Sequence, residues 1–232
     1  MPASGQIPLR FPETRLSFDD MTVSAANRGI CKAIRNPDRW PYHVFCLFGP
    51  VGSGVTTIAQ AWAAERDARF LQADEFAALK PKSIEQLTDK DLAIDDVDSL
   101  KDAEALLLVL GAIKRRAHHI VLAGHSAPSQ WAFRSPDLNS RLHAAPLAEL
   151  PGPDEVLTRA RLRRAFARSF LDLPRVVEDY LVTRIGLNYA LIEAVAERLA
   201  GASGDRALTV PLARDVLGED TIMSDMIGGR QR

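Results

Sequence analysis

The segment that most constrains this chain is Gly49-Pro-Val-Gly-Ser-Gly-Val-Thr-Thr57, read together with what stands on either side of it. Before it runs His43-Val-Phe-Cys-Leu-Phe48, a continuous apolar stretch bounded by Pro41 and Gly49, the pattern of a strand buried on both faces. After it, Ile58, Ala59, Trp62 and Ala63 line one face of a helix over 58–66. Strand, glycine loop and helix together make a phosphate cradle. Glycines let backbone N–H groups wrap the anion, and the helix N-terminus adds positive potential. In the motif G-x-x-x-x-G-K-[ST] a lysine reaches the terminal phosphates and a hydroxyl holds magnesium.

Gly49, Gly54 and Thr56 match that motif, and Val55 stands where the lysine belongs. The candidate nucleotide-binding residues are Gly49, Pro50, Gly52, Ser53, Gly54, Val55, Thr56 and Thr57, with Thr56 as a magnesium ligand. Valine gives a transferring phosphoryl group neither charge nor hydrogen bond, so hydrolysis should suffer badly. Binding is a separate matter, because the backbone cradle and helix dipole survive the substitution. A plain glycine turn is the competing reading, and the flanking strand, the flanking helix and the aspartates described next weigh against it.

The alternation of strand and helix continues with strands at 69–72, 92–94, 119–123 and 146–150 and an amphipathic helix through Leu106 to Ile113. Such alternation implies a mostly parallel sheet with helices on both faces. Leu92-Ala-Ile-Asp95-Asp96 ends in acid at the carboxyl end of its strand, where ligands bind in open α/β sheets. Asp95 is the candidate magnesium-associated aspartate, Asp96 the candidate catalytic residue that orients a water, and Asp98 a helix N-cap.

After Pro151-Gly-Pro153 only helical patterns remain, at 155–170, 175–184, 187–199 and 210–217. The basic stripe Arg159, Arg161, Arg163, Arg164 and Arg168 reads as a solvated face, with partner docking as the alternative. The expected organisation is an extended arm at 1–17, an α/β core at 18–150, a helical lid at 151–217 and a polar tail at 218–232.

Composition narrows the function. Hydrophobic residues at 47% and charged residues at 25% are ordinary globular values, which argues against global disorder. A formal net charge of −1 gives no sign of a nucleic-acid or membrane-surface binder. Cys31 and Cys46 have no metal-type spacing, and no stretch resembles a signal peptide or a membrane span. The expectation is a cytoplasmic protein.

Several segments together resemble the Hda-like regulators of bacterial replication initiation, which are DnaA-related proteins of the AAA+ P-loop class. These segments are 17–27 ahead of the first core helix, 40–54 with the glycine loop, Asp95-Asp96, Ser135-Pro-Asp-Leu-Asn-Ser-Arg141-Leu, and 208–217 closing the lid. The resemblance implies a three-layer AAA+ core with a parallel sheet and a small all-helical lid. It also implies that Arg141 acts as an arginine finger on a neighbouring subunit's nucleotide. In the arm, Gln6-Ile-Pro-Leu9-Arg-Phe11 looks like the family's peptide for docking on the DNA polymerase sliding clamp, with Gln6, Leu9 and Phe11 as its anchors.

The implied partners are that clamp, DnaA and a second copy of the chain in a homo-oligomer. The chain ends without DnaA's helix-turn-helix domain, so sequence-specific DNA binding is not expected. There are departures around the phosphates. Val55 replaces the lysine, Leu187 falls where the family carries a lid arginine, and Ala123-Gly-His125-Ser126 lacks the usual threonine, leaving His125 or Ser126 as substitutes. Three losses imply weak binding of ADP or ATP with magnesium, or no nucleotide at all. The expectation is therefore a regulator with weak or no hydrolysis of its own. Two alternatives stay open: an active P-loop ATPase in which Lys80, Lys82 or Lys90 replaces the lysine, and an interaction module without nucleotide.

Overall fold

The computed structural model describes residues 17–204 and 206–218, and the side chains of all of these except Pro81, Lys82 and Glu85. Its strands and helices, in chain order, are α1 Arg28–Ile34, β1 Val44–Phe48, α2 Val55–Glu65, β2 Arg69–Gln72, α3 Ala73–Ala77, α4 Pro81–Leu87 and β3 Leu92–Asp95. They continue with α5 Ala103–Arg116, β4 Ile120–Gly124, α6 Pro136–Ala144, β5 Leu147–Glu149, α7 Glu155–Arg168, α8 Arg175–Ile185, α9 Tyr189–Ser203 and α10 Val210–Leu217.

The five strands form one parallel sheet in the order β2-β3-β4-β1-β5. Strand residues alternate between its two faces. On one face Cys46, Ile94 and Leu122 pack against Leu106, Leu110 and Ile113 of α5 and Leu138 of α6. On the other, Phe45, Leu47 and Val121 pack against Ile58, Ala59 and Trp62 of α2. The central strands β3 and β4 are buried along their whole length, which is why they read as unbroken apolar runs.

From α7 onward the chain is helical, and Leu162, Phe166, Leu181, Ile192 and Leu199 build a separate core there. Asp154 caps α7 by accepting from the Leu157 N–H at 2.9 Å, and its other oxygen accepts from the Ala26 N–H at 3.3 Å. The first residue group of the lid is thereby tied to the segment before α1. Residues 1–16, with Gln6, Leu9 and Phe11, lie outside the described residues, as does the tail beyond Gly218.

Two expected details differ. The spacing of apolar residues over 25–34 predicts a helix there, but α1 starts three residues later, at Arg28, because 25–27 form a turn. Asp98 caps no α-helix: α5 is capped by Asp102, whose carboxylate accepts from the N–H groups of Glu104 and Ala105.

Candidate functional site

β1 delivers the chain to Gly49, where a side chain has no room: an added Cβ would stand 2.9 Å from the Leu150 backbone and from the Ser53 hydroxyl. Gly52 and Gly54 hold φ of 82° and 100°, a region that L side chains rarely enter, and Gly54 is the N-cap of α2. The loop closes on itself as the Ser53 N–H donates to the Pro50 carbonyl at 2.9 Å, and α2 starts as the Ile58 N–H donates to the Gly54 carbonyl at 2.9 Å. Thr56 and Thr57, in the first turn of α2, are half-buried.

Val55 is only 3% exposed and packs with Ile58, Leu47 and Phe45 in the core beneath the sheet. The position that would carry the lysine has become part of the hydrophobic interior. Ser53 is 7% exposed, and its Oγ has no hydrogen-bond partner among the described residues.

Asp95 ends β3, buried, and Asp96 follows it in the left-handed region at φ 54°. Burial, and then the charge of Asp95, raise the Asp96 carboxyl above its ordinary value, while His125 pulls it down. The His125 Nε2 lies 3.2 Å from Asp96 Oδ1. The neighbouring Ser126 is engaged elsewhere: Asp98 Oδ2 accepts from its N–H and hydroxyl and from the His125 N–H. Asp98 therefore staples the end of β3 to the end of β4, a role its place in the sequence does not reveal.

A cavity of about 250 Å³ lies where the loop meets the lid. Met21, Asn27, Ser53 and Gly54 line it from the core, and Arg161 and Tyr189 from the lid. Tyr189, the first residue of α9, comes so close to the loop that a Cβ on Gly52 would meet its Cβ at 3.2 Å. The lid residue over the loop is thus Tyr189, while Leu187, placed there by the sequence, is 58% exposed. A capping signal could have found it: Asn188 accepts from the N–H groups of Ala190 and Leu191, so α9 starts at 189. Arg184 sits over the Tyr180 ring instead.

The arginines of α7 do not form one solvated face. Arg159 and Arg163 pair with the buried Glu178 of α8. Arg161, Arg164 and Arg168 turn to the cavity. The Arg161 guanidinium lies 4.4 Å from the centre of the Tyr189 ring. Burial lowers its pKa, against the pull of Tyr189 and Glu193. Of the lysines considered as replacements, Lys90 pairs with Asp67, and Lys80 is exposed ahead of α4.

Arg141 is elsewhere. It is carried by α6, on the sheet face opposite α2, and donates to Asp137 from Nε at 3.2 Å and Nη2 at 2.9 Å. With Leu107 and Leu108 of α5 it lines an open groove of about 440 Å³. Among the described residues no three His, Cys, Asp or Glu side chains are grouped to hold a metal ion, and no helix is long and apolar enough to cross a membrane.

No family model matches the chain, and no curated protein does. Solved structures do. Domain III of the replication initiation protein DnaA from Thermotoga maritima is 18% identical, with a TM-score of 0.70, over 88% of this chain and 96% of that one. AMPPCP-bound DnaA from Aquifex aeolicus is 22% identical, with a TM-score of 0.65, over 84% of this chain and 68% of that one. A RuvB variant from Thermotoga maritima is 16% identical, with a TM-score of 0.63, over 87% and 71%. At these identities the likeness speaks for the fold: the chain is an α/β protein with a DnaA-like AAA+ P-loop architecture, a five-stranded parallel sheet followed by helices.

Proposed function

We propose that the chain is a DnaA-related regulator of replication initiation that docks on the DNA polymerase sliding clamp through Gln6, Leu9 and Phe11 and engages DnaA through its AAA+ surface. It hydrolyses ATP weakly or not at all by itself. The observation that carries this reading is a separation of two positions. Val55 is sealed in the core where a phosphate-binding lysine would be needed, while Arg141 stands on another surface, paired with Asp137. A cation in that place needs no nucleotide in its own subunit to act on a neighbour's.

What supports nucleotide binding is the loop itself, with Gly52 and Gly54 at positive φ ahead of the N-terminus of α2. ADP or ATP would occupy the cavity under the lid. Thr56 and Asp95 are the residues that would hold its magnesium, together with phosphate oxygens and water, a donor set usual for that ion.

The test is capture on DNA-loaded sliding clamp. The chain should be retained, and the double variant Gln6→Ala, Leu9→Ala should wash through; equal retention of both would sink the docking reading. Measured ATP turnover that collapses in Asp95→Ala would instead establish an active ATPase and remove the claim of weak hydrolysis.

A further inference from the structure

The lid arginines leave a charge imbalance in the cavity. Among its lining residues Arg161, Arg164 and Arg168 face one carboxylate, Glu193, and Glu193 is taken by Arg168. Arg164 donates to the Asp20 carbonyl at 3.2 Å, and neither it nor Arg161 makes an ion pair among the described residues. Holding a half-buried guanidinium without a counter-charge costs free energy, and Arg161 is so held.

Its position is informative. Arg161 Nη2 would stand 3.3 Å from a Cβ on Gly54, so its charge lies at the N-terminus of the eleven-residue α2. Two sources of positive potential converge there, the helix end and the arginine, and among the described residues no carboxylate forms an ion pair with Arg161. Ser53, which lines the same cavity, is more than nine-tenths buried and keeps an Oγ without a hydrogen-bond partner among the described residues. A buried hydroxyl left without a partner is uncommon unless a ligand completes it. Met21, Ile58 and Leu157, which also line the cavity, offer apolar surface for a base.

We propose that Arg161 replaces the missing loop lysine as the phosphate-binding cation, reaching in from the lid, and that the cavity takes a nucleoside diphosphate. This rests on the reading of the loop as a nucleotide site and is independent of clamp docking. A guanidinium offers forked donors to two phosphate oxygens, where a lysine is a point charge. Because the cation belongs to the lid, nucleotide binding and lid position are one equilibrium: ligand holds the lid on the core, and displacement of α7 releases ligand. The loop needs no lysine for binding, and Val55 is free to serve the core.

Calorimetric titration of the full chain with ADP, and separately with inorganic pyrophosphate, tests this. ADP should give saturable binding that weakens as salt is raised. Arg161→Met keeps the packing on Tyr189 but removes the charge, and should weaken ADP about ten- to hundredfold. Leu187→Ala, exposed and outside the cavity, should leave affinity unchanged. Pyrophosphate should bind more weakly than ADP, since it leaves the apolar surface unused. The same affinity in Arg161→Met as in the parent chain would overturn the proposal. No saturable heat with ADP would overturn it too, while capture on the clamp would then still decide the proposed function separately. Should Arg161→Met fold poorly, Ser53→Ala, which removes the unpartnered hydroxyl without opening the lid, should weaken ADP about three- to tenfold, and unchanged affinity there would count equally against it.

Discussion

Asp98 Oδ2 accepts from both the backbone N–H and the hydroxyl of Ser126, at 3.2 and 3.1 Å, so one oxygen holds the end of β4 against the turn that follows β3. A third bond comes from the His125 N–H at 3.0 Å. Asp98→Ala would leave three donors without their acceptor and should cost about 2–4 kcal/mol, read as a lowered urea midpoint at constant slope. Asp98→Asn retains one acceptor oxygen and should cost less. A midpoint that does not move in the alanine variant would mean that water replaces the carboxylate freely.

The neighbouring Asp96 is the reverse case. Burial and Asp95 raise its pKa in the fold, so the folded chain holds that proton more tightly than the unfolded chain does. Stability is then lost as pH rises from the unfolded carboxylate range through the higher folded value. Asp96→Asn should raise stability by up to about 1 kcal/mol near neutrality, a figure kept small because the side chain is 47% exposed and screened by water. Asparagine also accepts the left-handed backbone found there. A lower melting temperature would show that the pairing with His125 matters more than the crowding of charge.

Much of this was legible in the chain itself, and the reasons differ from part to part. β1 and β4 announce themselves because strands covered on both faces must be apolar throughout, and the glycine loop because Gly52 and Gly54 adopt backbones that need glycine. The stripe on α7 could not be read so far. Arg159 and Arg163 are four residues apart, and Arg161, Arg164 and Arg168 follow at three and four, so two helical faces are visible in the spacing. Which of them meets α8 and which meets the loop depends on how the lid docks, and no local pattern carries that. The same holds for Asp98, whose partners lie 27 and 28 residues away.

His119 offers a check on pH. It is 9% exposed, and burial lowers its pKa, opposed by Asp91 and reinforced by Arg66 and His43. The unfolded chain therefore binds this proton more readily, and stability is complete above the ordinary histidine value of about 6.5 and falls as pH drops through it toward the folded value. Melting temperature followed between neutrality and about pH 5 should decline, and His119→Gln should flatten the decline. An equal slope in both proteins would assign the acid sensitivity to other groups.

Arg141 should behave as a residue that serves another subunit. It is carried on the sheet face opposite the helix that follows its own phosphate loop, and its two hydrogen bonds to Asp137 are a surface pair worth no more than about 1 kcal/mol. Arg141→Ala should keep its melting temperature within a few degrees and its ADP affinity within about twofold, yet lose any effect on DnaA-bound nucleotide when the two proteins are mixed. A full effect on DnaA in that variant would remove Arg141 from the proposed role.

Val55 and Arg161 should separate cleanly when each is altered. Val55 is in the core, so Val55→Ala removes buried methyl groups and should cost about 1–3 kcal/mol of stability. It touches no phosphate in this arrangement, and ADP affinity should stay within about twofold once the measurement is made well below the melting temperature. Arg161→Met should do the opposite, weakening ADP while leaving stability at or slightly above the parent value, because among the described residues the guanidinium has no carboxylate partner to lose. If Val55→Ala weakened ADP as much as Arg161→Met does, the first residue of α2 would still belong to the binding site, and its burial would not have removed it from the phosphate's reach.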